Sequence, residues 1–162
     1  DEDYAKFVAE TVEPRFRELA KRVKAEKTLE PRVVYGWWPC YSERNSLVVL
    51  DPRDRRTEIS RFDFPRQPSG RRLCLADFFR KKDSGELDVV GFSLVTMGAV
   101  ATHESERLFR ENRFDEYLHF HGISVEGAEA LAEYWHKRMR QQIGIAAEDS
   151  PVIEDLFKQK YQ

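Results

Sequence analysis

Apolar residues near the start of the chain recur at three- and four-residue steps: Tyr4, Phe7, Val8, Val12, Phe16, Leu19, Ala20 and Val23, with charges between them. That period predicts a helix over residues 2 to 27 with one buried stripe. Pro14 falls inside the pattern, where it should kink the helix or start a second one. The period then shortens. Val33 to Trp38 is β-branched and aromatic, Leu47 to Leu50 is a short apolar run, and Glu58 to Phe64 alternates, so each predicts a strand. Asp51-Pro52-Arg53-Asp54 is a turn between the second and third, which makes an antiparallel meander. Leu73 to Lys82 reads as a short helix. Asp88 to Thr96 is apolar on both faces and is expected as a fourth, central strand.

From Thr102 to about Ile143 the pattern is helical again. Gly122, Ser124 and Gly127 predict a break near residues 119 to 122, with Ser124 as N-cap of a helix over Val125 to Gln142. Gly144 is expected just past its end. Asp149-Ser150-Pro151 should open a last helix with Val152, Ile153, Leu156 and Phe157 inward. Strands followed by long amphipathic helices give an α+β fold, a largely antiparallel twisted sheet packed against long helices in a single domain over 1–162. Trp135, Leu131, Phe7 and Phe16 are expected at the packing face.

Composition narrows the function classes. The net charge is −2, with Asp and Glu interspersed among the Lys and Arg, so no global basic field exists to hold nucleic acid. The short cationic clusters Arg53-Asp54-Arg55-Arg56 and Arg80-Lys81-Lys82 read as solvated loops or as a docking patch for an acidic partner. No apolar run reaches the ~18 residues of a membrane span. Cys40 and Cys74 have no C-x-x-C companion and read as free, buried thiols of a reducing compartment, so a cytoplasmic location is expected.

Candidate chemistry is sparse. On the helix after Ser124, Glu129, Glu133, His136 and Arg140 form one polar stripe opposite Ala128, Leu131, Ala132, Trp135 and Met139. A carboxylate, an imidazole and a guanidinium in line could border a groove, or simply face solvent with i,i+4 pairing. His119 and His121 point to different sides of a helix and lack an H-E-x-x-H pattern, which gives no metal centre. The G-x-S-x-G, G-x-G-x-x-G and G-x-x-x-x-G-K-[ST] signatures do not occur. Arg66 and Gln67, between Pro65 and Pro68 at a strand end, could hold a carboxylate, a partner loop or their own turn.

Five ordered segments carry a resemblance over nearly the whole length. They are Ala25 to Cys40, Phe64-Pro65-Arg66-Gln67, Cys74-Leu75-Ala76-Asp77-Phe78, Asp88 to Gly98, and His121 to Arg140. Together they resemble the activation domain of cobalamin-dependent methionine synthase. The resemblance implies a reactivation module that binds S-adenosylmethionine (AdoMet) for reductive methylation of oxidised cobalamin. The cobalamin sits on a neighbouring domain and a flavodoxin-like donor supplies the electron. The module's part would be positioning the methyl donor, which makes it part of a methyltransferase without activity of its own.

Carried over residue by residue, Glu129 matches a carboxylate of the family's AdoMet groove and would receive the ligand's ammonium or sulfonium charge. The family's chief AdoMet motif, an R-x-x-x-G-Y-like segment, and a later aromatic segment are expected beyond Gln162. An acidic-aromatic stretch is expected before Asp1. The chain thus corresponds to the central half of such a domain. Two other readings stand beside it: a separate protein of this fold that docks on another corrinoid protein without catalysis, and a scaffold without ligand.

Overall fold

The computed structural model describes residues 2 to 152 and residue 155. The first predicted helix is three consecutive segments: α1 (Glu2–Phe7), a π-helical turn over Val8–Val12, and α2 (Glu13–Glu26). The wide turn falls just before Pro14, which occupies the first turn of α2. The wider π turn gives the proline ring room against the preceding helical turn, where an unbroken α-helix would clash. Lys27 ends α2 in the left-handed region at φ 53°.

The strands are β1 (Arg32–Glu43), β2 (Ser46–Leu50), β3 (Glu58–Asp63) and β4 (Asp88–Thr96), in the order β3-β2-β1-β4. β1 pairs antiparallel with β2 through Cys40 opposite Val49, and β2 pairs antiparallel with β3 through Leu47 opposite Phe62. The antiparallel meander is as expected, and the fold is α+β. β4, however, lies at the end of the order rather than at its centre, with Leu94 72% exposed. The inner strands are β2 and β1, and residues Leu47 to Leu50 of β2 are all buried. An apolar run reports burial only where something covers both faces.

Leu73 to Lys82 is not a helix. Two single 3₁₀ turns occur instead, at Leu75–Phe78 and Lys82–Ser84. The helical region also breaks elsewhere. α3 (Ala99–Arg110) and α4 (Phe114–Gln142) are separated at residues 111 to 113, and α4 runs unbroken through Gly122. Asn112, at φ 57°, is the left-handed residue of a Schellman stop: its amide donates to the Phe109 carbonyl, and the Arg113 amide donates to that of Leu108. Ser124 is therefore no cap. Its hydroxyl donates back to the Phe120 carbonyl at 2.8 Å inside α4. Gly144 does close α4, at φ 78°, with the Ile145 amide donating to the Arg140 carbonyl. The expected last-helix residues Ile153, Leu156 and Phe157 lie outside the described residues.

Two compact units result. One comprises residues 1–34 and 93–162, the other residues 35–92. The first is built on Val23, Ala101, Leu108 and Phe120, with Leu19, Leu29, Met97, Tyr117 and Ile123 around them. Gly127 lets α4 approach Met97, whose methyl carbon would lie 3.4 Å from a side chain there. Phe7 and Phe16, expected at the packing face, are 54% and 56% exposed. The second unit is built on Cys40, Leu47, Val49 and Val90. Trp38 and Phe62 both meet the ring of Phe92 on its sheet, with centroids 5.5 Å apart in each pair. Among the described residues no helix is long and apolar enough to cross a membrane.

Candidate functional site

α4 has 29 residues, enough to carry chemistry on two neighbouring faces. The first face borders a groove against α1, the π turn and α2. Its volume is about 1090 Å³, and its apolar wall includes Phe7, Val12, Phe16, Leu19, Leu118 and Ile123. Glu116, His119 and Glu126 of α4 and Arg15, Glu18, Lys21 and Arg22 of α2 rim it. Gly122 faces the same space, with nothing within 4 Å of where a side chain would begin, so the glycine widens the groove instead of breaking the helix.

Glu116 anchors one end. Arg113 donates to both its oxygens, at 2.7 and 2.6 Å, and Arg22 of α2 reaches it at 3.2 Å. Arg113 first, then Arg22, holds the Glu116 carboxyl down at about 2. This ion network ties α2 to the start of α4, which leaves Glu116 structural.

The second face is the predicted polar stripe, and the structure divides it. Glu129 lies one turn beyond Glu126 and, at ~100° per residue, about 60° round the helix. It is exposed and makes no hydrogen bond or ion pair among the described residues. Glu133 and His136 sit 4.0 Å apart, both more than two-fifths exposed. Arg140 belongs to neither a groove nor a solvated face. Its Nε and Nη2 donate to Asp149 at 3.0 and 2.7 Å, with side-chain exposures of 14% and 4% for the pair. Nη2 also donates to the Ile145 carbonyl at 3.2 Å. Arg140 thus locks the segment after α4 against its last turn. Its guanidinium hydrogen bonds, ahead of the charge itself, hold the Asp149 carboxyl below the ordinary range.

The other candidates resolve into structure. His119 faces the groove, whereas His121 stacks on Tyr117 at 5.6 Å, so the two histidines diverge. Arg66 holds a carboxylate, as its position allowed, but one of its own chain: Nη1 and Nη2 each reach Asp77 at 2.7 Å. Gln67 accepts from the Leu73 amide at 3.3 Å. Cys40 and Cys74 are both free and buried, and burial pushes the Cys40 thiol up to about 12. The groove itself was missed by sequence reading. Phe7, Val12, Phe16 and Leu19 of its wall come from the stripe of the first helix that was expected to be covered.

Comparison with known proteins places this arrangement. The family described as vitamin B12 dependent methionine synthase, activation domain, matches residues 2–162. The chain belongs to that family. It is 42% identical over 171 residues to methionine synthase of Mycobacterium tuberculosis and 41% identical to that of Mycobacterium leprae, in each case over 98% of this chain and 14% of the relative. Its fold matches a crystallised MetH reactivation domain bound to AdoHcy, with a TM-score of 0.84 and 26% identity, over 98% of this chain and 53% of that one. The chain therefore spans about half of that reactivation domain and a small part of the curated relatives.

Glu129 is thus an exposed carboxylate of the stripe with no partner among the described residues. AdoMet, the methyl donor of this family, has a cationic sulfur at its centre, and its amino-acid end carries both an ammonium and a carboxylate. An exposed carboxylate without an internal partner can take a cation at little cost, since nothing must be broken first. The carboxylate end needs a cation, and on this stripe the guanidinium of Arg140 is already committed to Asp149.

Proposed function

We propose that this chain is part of a reactivation module of cobalamin-dependent methionine synthase, holding AdoMet for reductive methylation of oxidised cobalamin. Family membership over the described chain supports the reading, as does the AdoHcy bound to its crystallised structural relative. AdoHcy is what remains of AdoMet once its methyl group has left. Cobalamin, on its own domain of the same or another chain, would supply the nucleophilic cobalt. A flavodoxin-like protein would supply the electron.

The task of this chain is then positional. Glu129 offers its charge to the ligand's ammonium or sulfonium, and α4 holds that carboxylate on a rigid element anchored at one end by Arg113, Glu116 and Arg22 and at the other by Arg140 and Asp149. Fixing the methyl donor in line with its acceptor removes orientational entropy from the barrier.

The observation that carries the assignment to Glu129 is its uncommitted, exposed carboxylate on the stripe. Titration calorimetry with AdoMet, on a chain extended to the span of the crystallised domain, tests it. Glu129→Gln should weaken binding roughly ten-fold or more, the worth of one charge-assisted contact. Glu126→Gln, on the neighbouring face, should leave it within about two-fold. Equal affinity for Glu129→Gln and the parent would remove Glu129 from the site.

A further inference from the structure

Three loops of the unit formed by residues 35–92 converge on one guanidinium. Arg66 donates to Asn45 in the β1–β2 turn at 3.0 Å, to the Arg72 carbonyl at 2.7 Å, and to Asp77 at 2.7 Å. The knot is neutral, because Asp77 cancels Arg66. Its surroundings are not. Arg44, Arg71 and Arg72 lie beside Asn45 and the Arg72 carbonyl, and Lys81 is close enough to help hold the Asp77 carboxyl at about 2, after Arg66 and the Cys74 amide. All four cations are exposed, and none has an ion-pair partner among the described residues.

Of the two nearby acids, one is paired with cations and the other keeps its charge. Glu43 is taken by Lys82 and Arg61, at 2.8 and 3.1 Å, and Asp63 accepts from the Ser46 hydroxyl. Arg44 and Arg72 moreover sit in the left-handed region, at φ 57° and 51°, where glycine or asparagine would fit at less cost.

We propose that this end of the 35–92 unit is a docking surface for a protein that presents a cluster of carboxylates. Arginine suits such a contact, since its planar fork is weakly hydrated and pairs bidentately with carboxylate. A finite carboxylate cluster matches four cations with Glu43 and Asp63 at their edge. A nucleic-acid backbone needs an extended basic track, and a chain of net charge −2 with acids interspersed among its bases offers none, so nucleic acid is the disfavoured occupant. The proposal stands on the loop geometry and is independent of AdoMet binding.

Fluorescence anisotropy on the 162-residue chain, with labelled hexaglutamate and a labelled oligothymidylate of equal charge, tests it. At ~20 mM salt hexaglutamate should bind, and at ~150 mM, where the screening length shortens to ~8 Å, binding should fall about ten-fold. The triple variant Arg44→Gln, Arg71→Gln, Arg72→Gln should lose at least ten-fold in affinity at low salt. Arg53→Gln, Arg55→Gln, Arg56→Gln, in the turn at the other end of β2, removes the same charge and should change affinity less than two-fold. Arg71→Gln alone, with no left-handed residue touched, should lose about three-fold and keeps the test valid if the triple variant unfolds. Equal losses in the two triple variants, no effect of Arg71→Gln, absence of binding at low salt, or tighter binding of the oligothymidylate would each overturn the proposal.

Discussion

Replacing Arg140 by methionine keeps much of the side-chain volume and deletes the charge that Asp149 needs. In the parent chain the two are 14% and 4% exposed and share bonds of 2.7 and 3.0 Å. The variant strands a carboxylate in a site with little access to water. Breaking such a buried pair from one side costs about 3–5 kcal/mol, and the residual exposure of Arg140 puts the expected loss at the low end, ~3 kcal/mol. For a chain of this size that is roughly 6–12 °C in melting temperature. Removing both partners, with Asp149→Leu added, should recover part of the loss, because no charge is then left unpaired.

The pH dependence has a definite sign. The folded-state pKa of Asp149 lies below its ordinary value, so the pair's contribution is fully present above the unfolded pKa and is lost as pH falls through the folded one. Thermal melts followed by circular dichroism between pH 7 and pH 2 should show the parent losing its advantage over Arg140→Met at the acid end. A melting temperature for Arg140→Met within ~1 °C of the parent at pH 7 would refute the structural role and return Arg140 to the candidate ligand residues.

Other outcomes follow from the same contacts. Phe120→Ala, at a side chain 1% exposed among Val23, Ala101 and Leu108, should cost about 3–5 kcal/mol in denaturant titration, whereas Phe16→Ala, at a side chain 56% exposed, should cost less than about 1 kcal/mol. Gly98→Ala places a side chain at φ 85° and 2.9 Å from the Glu30 Cβ, and should lose at least ~1 kcal/mol by the same titration. The Cys40 thiol, pushed up to about 12, should resist iodoacetamide at pH 8 in the folded chain and react on unfolding, as read by intact mass.

Much of the architecture was written in local periodicity. The 3.6-residue stripe from Tyr4 to Val23, the alternation over Glu58 to Phe64 and the stop at Gly144 each depend on nearby residues, and each was legible. What failed depended on the rest of the fold. The apolar run of β4 could not reveal that the strand ends the sheet order, and Gly122 could not reveal that it widens a groove rather than breaking α4. The true break had a readable signal in Asn112, one of the few residue types that tolerate a left-handed stop. At the site, spacing put Glu129, Glu133, His136 and Arg140 in one stripe but could not say which charge was free. That depended on Asp149, nine residues past Arg140. The cationic patch around Arg66 was likewise hidden, because Arg44, Arg66, Arg72 and Asp77 come from separate loops.

The most direct test of the proposed function is recovery of activity after oxidation, in a full-length methionine synthase into which this chain has been placed as part of the activation domain. With AdoMet and a flavodoxin-type reductant present, Glu129→Gln should raise the AdoMet concentration needed for half-maximal recovery about ten-fold or more, while turnover before oxidation is unchanged. Recovery at the parent's AdoMet concentration, with turnover intact, would contradict the assignment of the methyl-donor site to this face of α4.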